Sequence, residues 1–154
     1  MGLNIGDSIP NISIPDEADE LFELNKFTGK QALIVYFYPK NFTPGCVKEA
    51  CDFRDKYEDF KVLNAEVIGI SSDSESSHRR FKSKYQLPFI FLSDIDKKAR
   101  SAFGVKPALM GLIPGRETFV FNKNGKLIMQ YNNLNAASHI NKALEKLKTL
   151  QNEE

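Results

Sequence analysis

Residues 32–38 read ALIVYFY, an unbroken run of apolar and aromatic side chains. A strand with one covered face alternates polar with apolar residues, whereas a continuous run of this length suits a strand covered on both faces. The run therefore belongs at the centre of a sheet. Pro39 ends it, Thr43 is a good N-cap, Pro44 fits a first helical position, and Ala50, Phe53, Tyr57 and Phe60 recur at helical spacing. A buried strand thus runs through a short connection into an amphipathic helix.

The rest of the chain repeats that alternation. EVIGIS reads as a strand, SESSHRRFKSKY as a polar helix, FIFLSD after Pro88 as a strand, and residues 97–103 as a short helix. RETFVFNKNGKLIMQYN reads as a hairpin, with Asn124-Gly125 supplying the positive φ angles of a tight turn. Ile140, Ala143, Leu144, Leu147 and Leu150 form one apolar stripe on a closing helix. Ahead of the central run, IPNISIP and ELFEL show short alternation, an N-terminal β extension. A β-α-β start needs a parallel pair and the late hairpin adds antiparallel neighbours. The expected architecture is α/β and thioredoxin-like: a central mixed sheet with helices on both faces, in a single domain over residues 1–154.

Length and charge narrow the function classes. A chain of 154 residues holds a sizeable core without disulfide staples. Its 21 Lys+Arg against 20 Asp+Glu leave a net charge of +1, so nothing calls for nucleic acid or an acidic membrane surface. The basic run HRRFKSK sits on an expected polar helix face. No basic-then-apolar leader opens the chain, and the longest apolar run is far too short to span a bilayer. The expectation is a soluble, cytoplasmic protein. His78 and His139 stand far from each other and from the cysteines in sequence, which gives no zinc-site spacing, and each is expected to be a solvated helix residue.

Both cysteines, Cys46 and Cys51, fall in the first turns of the helix after Thr43. On an unbroken helix, five residues separate two Cα atoms by roughly 8.7 Å. A disulfide tolerates at most about 7 Å. The pair can bridge only if those turns unwind, which suits thiols that act in sequence rather than a permanent staple. Cys46, at the third helical position, lies among free N–H groups at the positive end of the helix dipole, where a thiolate is favoured. Cys51 lies more than a turn further on. An ordinary thiol is roughly 3% ionised at pH 7, so full ionisation gains only about thirtyfold in rate. Donors aimed at the substrate must supply the remainder. The alternative is that both thiols are small buried hydrophobes.

YPKNFTPGCVKEACDFRDKY closely resembles the active-site segment of the peroxiredoxins, in the bacterioferritin-comigratory or peroxiredoxin Q branch. Pro39, Thr43 and Cys46 reproduce the P-x3-T-x2-C motif, and Cys51 falls where this branch carries its resolving cysteine. KYQLPFIFLSD and LIPGRETFVFNKNGKLIMQYNN are similar to the same branch, so the likeness covers nearly the whole chain. It implies a thiol peroxidase for hydrogen peroxide and alkyl hydroperoxides. Cys46 would become a sulfenic acid, Cys51 would capture it as an intramolecular disulfide, and thioredoxin or a similar dithiol protein would reduce that bond. The resemblance implies no metal or organic cofactor.

It also assigns roles. Pro39 would shield the sulfur, Thr43 would hold the peroxide through its hydroxyl, and N–H groups of Gly45 and Cys46 would bind oxygen. Arg116 matches the arginine that assists thiolate and developing alkoxide. Glu49 is a possible supporting residue or an exposed helix glutamate, and Lys40 is expected to be solvated. Val47 and Lys48, and Ala136 and Ala137, depart from residues common in the branch without touching the proposed chemistry. The rival enzyme reading, a thioredoxin-like protein-disulfide oxidoreductase, prefers C-x-x-C. A non-catalytic binding module is the third reading. An in-chain resolving cysteine removes the chemical need for a dimer, so a monomer is expected, with a weak dimer as the alternative.

Overall fold

The computed structural model describes residues 2–105, 115–132 and 136–153. In chain order the elements are β1 (Ser13–Pro15), β2 (Leu21–Glu23), a 3-10 turn (Leu24–Phe27), β3 (Ala32–Phe37), α1 (Pro44–Asp55), α2 (Tyr57–Val62) and β4 (Ala65–Ser71). They continue as α3 (Glu75–Tyr85), β5 (Ile90–Ser93), α4 (Lys98–Phe103), β6 (Glu117–Phe121), β7 (Leu127–Asn132) and α5 (Ala136–Glu153). Residues 112–114 of the second matching segment, and the side chains of Ala136 and Ala137, lie outside the described residues.

The five-stranded sheet has the order β5-β4-β3-β6-β7. β3 pairs parallel with β4 and antiparallel with β6, so the apolar run is the central strand and every residue of it is buried. Its side chains alternate between two cores. Ile34, Tyr36 and Tyr38 join Phe53, Phe60, Phe81, Ile140, Leu144 and Leu147 under α1, α2, α3 and α5. Leu33, Val35 and Phe37 face Ile14, Phe22, Leu24, Ala99 and Phe103, from the β1–β2 hairpin, the 3-10 turn and α4. Helices cover both faces and the N-terminal β extension is a separate antiparallel pair, the thioredoxin-like arrangement expected.

Two local expectations are corrected. The helix after Thr43 breaks at Lys56 (φ −103°, ψ 4°), and Tyr57 starts α2. Neither Pro nor Gly marks the break, so periodicity passes over it. The β6–β7 hairpin turn places a positive φ on Gly125 (+79°) and not on Asn124. Asn122 Oδ1 accepts from the N–H groups of Asn124 and Lys126 (both 3.0 Å), and the Gly125 N–H donates to Asn122 O at 2.9 Å. The loop is thus longer than a two-residue turn, with a register shift between Val120 and Phe121. A Cβ at Gly125 would also come within 2.9 Å of Thr28 Oγ1.

Candidate active site

β3 ends and α1 begins at one end of the sheet, beyond the C-terminus of the central strand, and antiparallel β6 begins there too, with Glu117 opposite Phe37. Cys46 and Arg116, 70 positions apart in sequence, therefore meet. Thr43 has extended backbone (φ −80°, ψ 147°), and its C=O accepts from Val47 N–H at 2.9 Å. Its hydroxyl does not cap the helix; it donates to Lys40 O at 2.8 Å. The hydroxyl lone pairs remain able to accept. Pro44 has no N–H, so Gly45 and Cys46 carry the first-turn N–H groups that helix geometry leaves without a carbonyl.

Cys46 is only 1% exposed, and Arg116 Nη2 donates to its sulfur at 3.4 Å. Arg116 Nη1 donates to Glu49 Oε1. One guanidinium, 5% exposed, thus spans a thiol and a carboxyl on the same face of α1. Gly45 makes room for it, since a Cβ there would stand 3.2 Å from Nη2. Lost hydration alone would lower the Arg116 pKa, but Glu49 and Cys46 outweigh it and the net movement is upward, so the cation persists. Burial pushes the Glu49 carboxyl up to about 8 against the downward pull of Arg116. Glu49 is fully buried, not an exposed helix residue, and its Oε2 has no hydrogen-bond partner among the described residues.

Around this pair the fold holds the connecting loop. Asn41 is buried; its N–H donates to Asp73 Oδ2 (2.8 Å) and its Oδ1 accepts from the Tyr38 hydroxyl (2.6 Å). His78 Nε2 lies 3.1 Å from Leu92 O, which only accepts, so Nε2 carries the proton and Nδ1 accepts from Asn41 Nδ2 at 3.0 Å. Burial lowers the His78 pKa, consistent with that neutral ring. Phe42, between this anchor and Thr43, has φ +67°, unusual for a bulky residue. Arg100 donates to Tyr38 O and Gly115 O (both 3.3 Å), the carbonyls just before Pro39 and Arg116.

The structure brings Thr43, Gly45, Cys46, Glu49 and Arg116 together. Pro39 is half-buried near the start of the β3–α1 loop, Cys51 is half-buried on the unbroken α1, and Lys40 is exposed. Both cysteines are free thiols. The expectation that His78 and His139 are solvated is wrong: both are fully buried. Each shares a face with core residues, His78 with Phe81 at i+3 and His139 with Ala143 at i+4, and that spacing was the available signal. Asn41 and Arg100 carried no local signal. Among the described residues, no cluster of three or more His, Cys, Asp or Glu is placed to hold a metal, and no helix is long and apolar enough to cross a membrane.

A thiol withdrawn from water at the head of a helix, with a guanidinium on its sulfur, defines a thiol peroxidase on the thioredoxin-like sheet. The AhpC/TSA family model matches residues 5–130, and the chain belongs to that family. It is 47% identical over 147 residues to chloroplastic peroxiredoxin Q of Sedum lineare, covering 95% of this chain and 78% of that protein. A cysteine-to-serine mutant of Xylella fastidiosa PrxQ superposes with a TM-score of 0.89 at 30% identity, covering 98% and 99% of the two chains. Xanthomonas campestris bacterioferritin comigratory protein, studied for alkyl peroxide reduction, gives a TM-score of 0.83 at 28% identity, covering 93% and 98%.

The chain is accordingly a thiol-dependent peroxidase of the peroxiredoxin Q kind, with two cysteines. Proteins of this family act on peroxides and are recycled by thioredoxin-type reductants. The expected cytoplasmic location is overturned by the plant relatives, whose names place those proteins in the chloroplast. Charge balance and apolar run length carry no address, whereas a compartment is set by a receptor-read signal.

Proposed function

We propose that Cys46 is the attacking sulfur and Cys51 the resolving one, within a single domain over residues 1–154. The Cys46 thiolate attacks one peroxide oxygen and the O–O bond breaks. The sulfur becomes a sulfenic acid, and the leaving alkoxide takes a proton to become an alcohol or water. The Cys51 thiol then displaces water from that sulfenic acid, forming the disulfide. Thioredoxin or a similar dithiol protein returns both thiols by exchange and becomes oxidised itself. The observation that carries this reading is the donation from Arg116 to Cys46 Sγ.

The same guanidinium is placed to stabilise negative charge as it moves from sulfur to leaving oxygen. Thr43 Oγ1, whose O–H donates a hydrogen bond to Lys40 O, accepts from the peroxide O–H through a free lone pair, while Gly45 and Cys46 N–H groups donate to the oxygens. Pro39 limits water at the sulfur. A neutral sulfenic acid holds Arg116 less strongly than a thiolate does, so oxidation itself loosens the first turns of α1. Those turns must open, because regular helix spacing keeps Cys46 and Cys51 about 1.7 Å beyond disulfide reach. An in-chain resolver lets the monomer complete the cycle.

One equivalent of hydrogen peroxide added to reduced protein tests the assignment. Peptide mass spectrometry is expected to find a Cys46–Cys51 crosslink, and amide exchange to lose protection over residues 44–52. Equal protection in both redox forms would refute the unwinding step. Cys51→Ser is expected to keep the first turnover and lose at least about nine-tenths of thioredoxin-driven cycling; full cycling would assign the resolver elsewhere.

A further inference from the structure

Phe42 directly precedes Thr43 and holds φ at +67°. A bulky side chain enters that region only where its surroundings leave it no other choice. Much of what surrounds it comes from one face of α3. Ser77, His78, Phe81 and Tyr85 recur there at three- and four-residue spacing. Two of them take the residue before Phe42: Asn41 Nδ2 donates to Ser77 Oγ at 3.2 Å and to His78 Nδ1 at 3.0 Å. The other two take Phe42 itself, whose ring stands edge-to-face on Phe81 (centroids 5.2 Å apart) and tilted against Tyr85 (6.4 Å).

The His78 ring fixes the polarity of its contact. Leu92 O can only accept, so Nε2–H donates to it at 3.1 Å and Nδ1 keeps one in-plane lone pair. Asn41 Nδ2 fills that position. The Tyr38 hydroxyl, 3.4 Å from Nδ1, commits its one proton to Asn41 Oδ1 at 2.6 Å. Asn41 N–H donates to Asp73 Oδ2 at 2.8 Å, and the same oxygen accepts from the Ser71 hydroxyl at 2.7 Å. Asn41 and His78 are both buried, so each of these bonds is made away from water. Burial lowers the His78 pKa against the upward pull of Asp73, the Leu92 carbonyl, Glu17 and Glu75, which preserves the lone pair. Thr43 Oγ1 reaches Lys40 O across Asn41 and Phe42, so the turn that these two residues make decides where its own lone pairs point.

We propose that His78 is a positioning residue for peroxide: its Nδ1 lone pair locks Asn41, and Asn41 together with the Phe42 ring on α3 holds the connection in the turn that aims the Thr43 hydroxyl at the substrate oxygens. This rests on Cys46 being the attacking sulfur and Thr43 the peroxide ligand. His78 touches neither. Arg116 holds the Cys46 sulfur and Glu49 from outside this latch, so losing the lone pair leaves the reactivity of the sulfur in place while peroxide is poorly held.

The test compares two reactions of reduced protein at pH 7, both followed on the Cys46 peptide by rapid quench and mass spectrometry: oxidation by hydrogen peroxide and alkylation by iodoacetamide. Both need the thiolate, and only the first needs Thr43, so their ratio cancels any change in ionisation. His78→Leu is expected to lower the ratio at least about tenfold, the scale of a misaimed binding group. His78→Asn, whose Oδ1 can accept in place of Nδ1, is expected to recover most of it. Asn41→Ala keeps the backbone bond to Asp73 and should lose as much as His78→Leu, and the double variant no more than either alone. A His78→Leu ratio equal to wild type overturns the proposal, as does a His78→Asn ratio no better than that of His78→Leu. Should His78→Leu not fold, Asn41→Ala decides by the same ratio, and a wild-type value there overturns it. A Cys46→Ser protein that still reduces peroxide would instead overturn the reading beneath.

Discussion

Cys46→Ser is expected to fold normally and to consume hydrogen peroxide at least about a thousandfold more slowly than wild type with any dithiol reductant. The substitution changes one atom at a position 1% exposed, so the cavity is filled as before. A serine hydroxyl accepts from Arg116 Nη2 in place of the sulfur, so stability should change by no more than about 1 kcal/mol. What disappears is nucleophilicity, because a hydroxyl is not ionised near neutral pH and cannot open an O–O bond at a useful rate. A melting curve alongside a peroxide-consumption assay separates the two effects. Activity within tenfold of wild type would place the reacting sulfur elsewhere, and Cys51 is the only other thiol in the chain.

Arg116→Met is expected to lower the single-turnover rate by about a hundredfold to a thousandfold, the range associated with losing one preorganised donor at a developing charge. Unlike the cysteine change, it should also destabilise the fold. Removing one member of a buried pair costs about 3–5 kcal/mol when the other must stay charged. Glu49, fully buried on the same guanidinium, can escape part of that cost by keeping its proton. The sign follows directly: without Arg116 nothing opposes burial, the carboxyl moves further up, and the stability deficit grows as pH rises through about 8, the value that Glu49 has with Arg116 present. Denaturant melts at pH 6 and pH 9 measure it. Arg116→Lys restores a charge but not the fork that reaches sulfur and carboxyl together, so it should recover only part of the rate. A lysine variant equal to wild type would show that point charge alone suffices.

These two expected losses differ in how readable their residues were. Cys46 announced itself: a thiol three positions after a Thr-Pro helix start has a local physical reason to be unusual, and α1 does begin at Pro44. Arg116 had none. It entered through resemblance, and its place became physical only when antiparallel pairing of β6 with β3 set residue 116 beside the loop that follows β3. Glu49 was read as exposed or supporting, yet it lies between Arg116 and His139 because α1 packs on α5. The histidines were misread for the same reason: a polar side chain on an amphipathic helix is assigned to water unless its partner is known. His78 found Asn41 and the Leu92 carbonyl, and His139 found Thr118.

Strands and helices were legible where burial repeats with a period, as in β3 and the apolar stripe of α5, because period and buried face are the same fact seen twice. The break at Lys56 and the shape of the Asn122–Lys126 turn were not, since each depends on hydrogen bonds that many sequences of similar pattern would make differently.

By itself, then, the order of residues settled the alternation of elements, the central strand, the helix bearing both thiols and the spacing that keeps them apart. Those are properties of neighbours along the chain, within the reach of local geometry. Which charge would touch the sulfur, which carboxyl would share it and which histidine would hold the loop were decided only when strands and helices distant in sequence came together. Electrostatic partnership inside a protein depends on distance in space and on the exclusion of water, and neither is written at any single position.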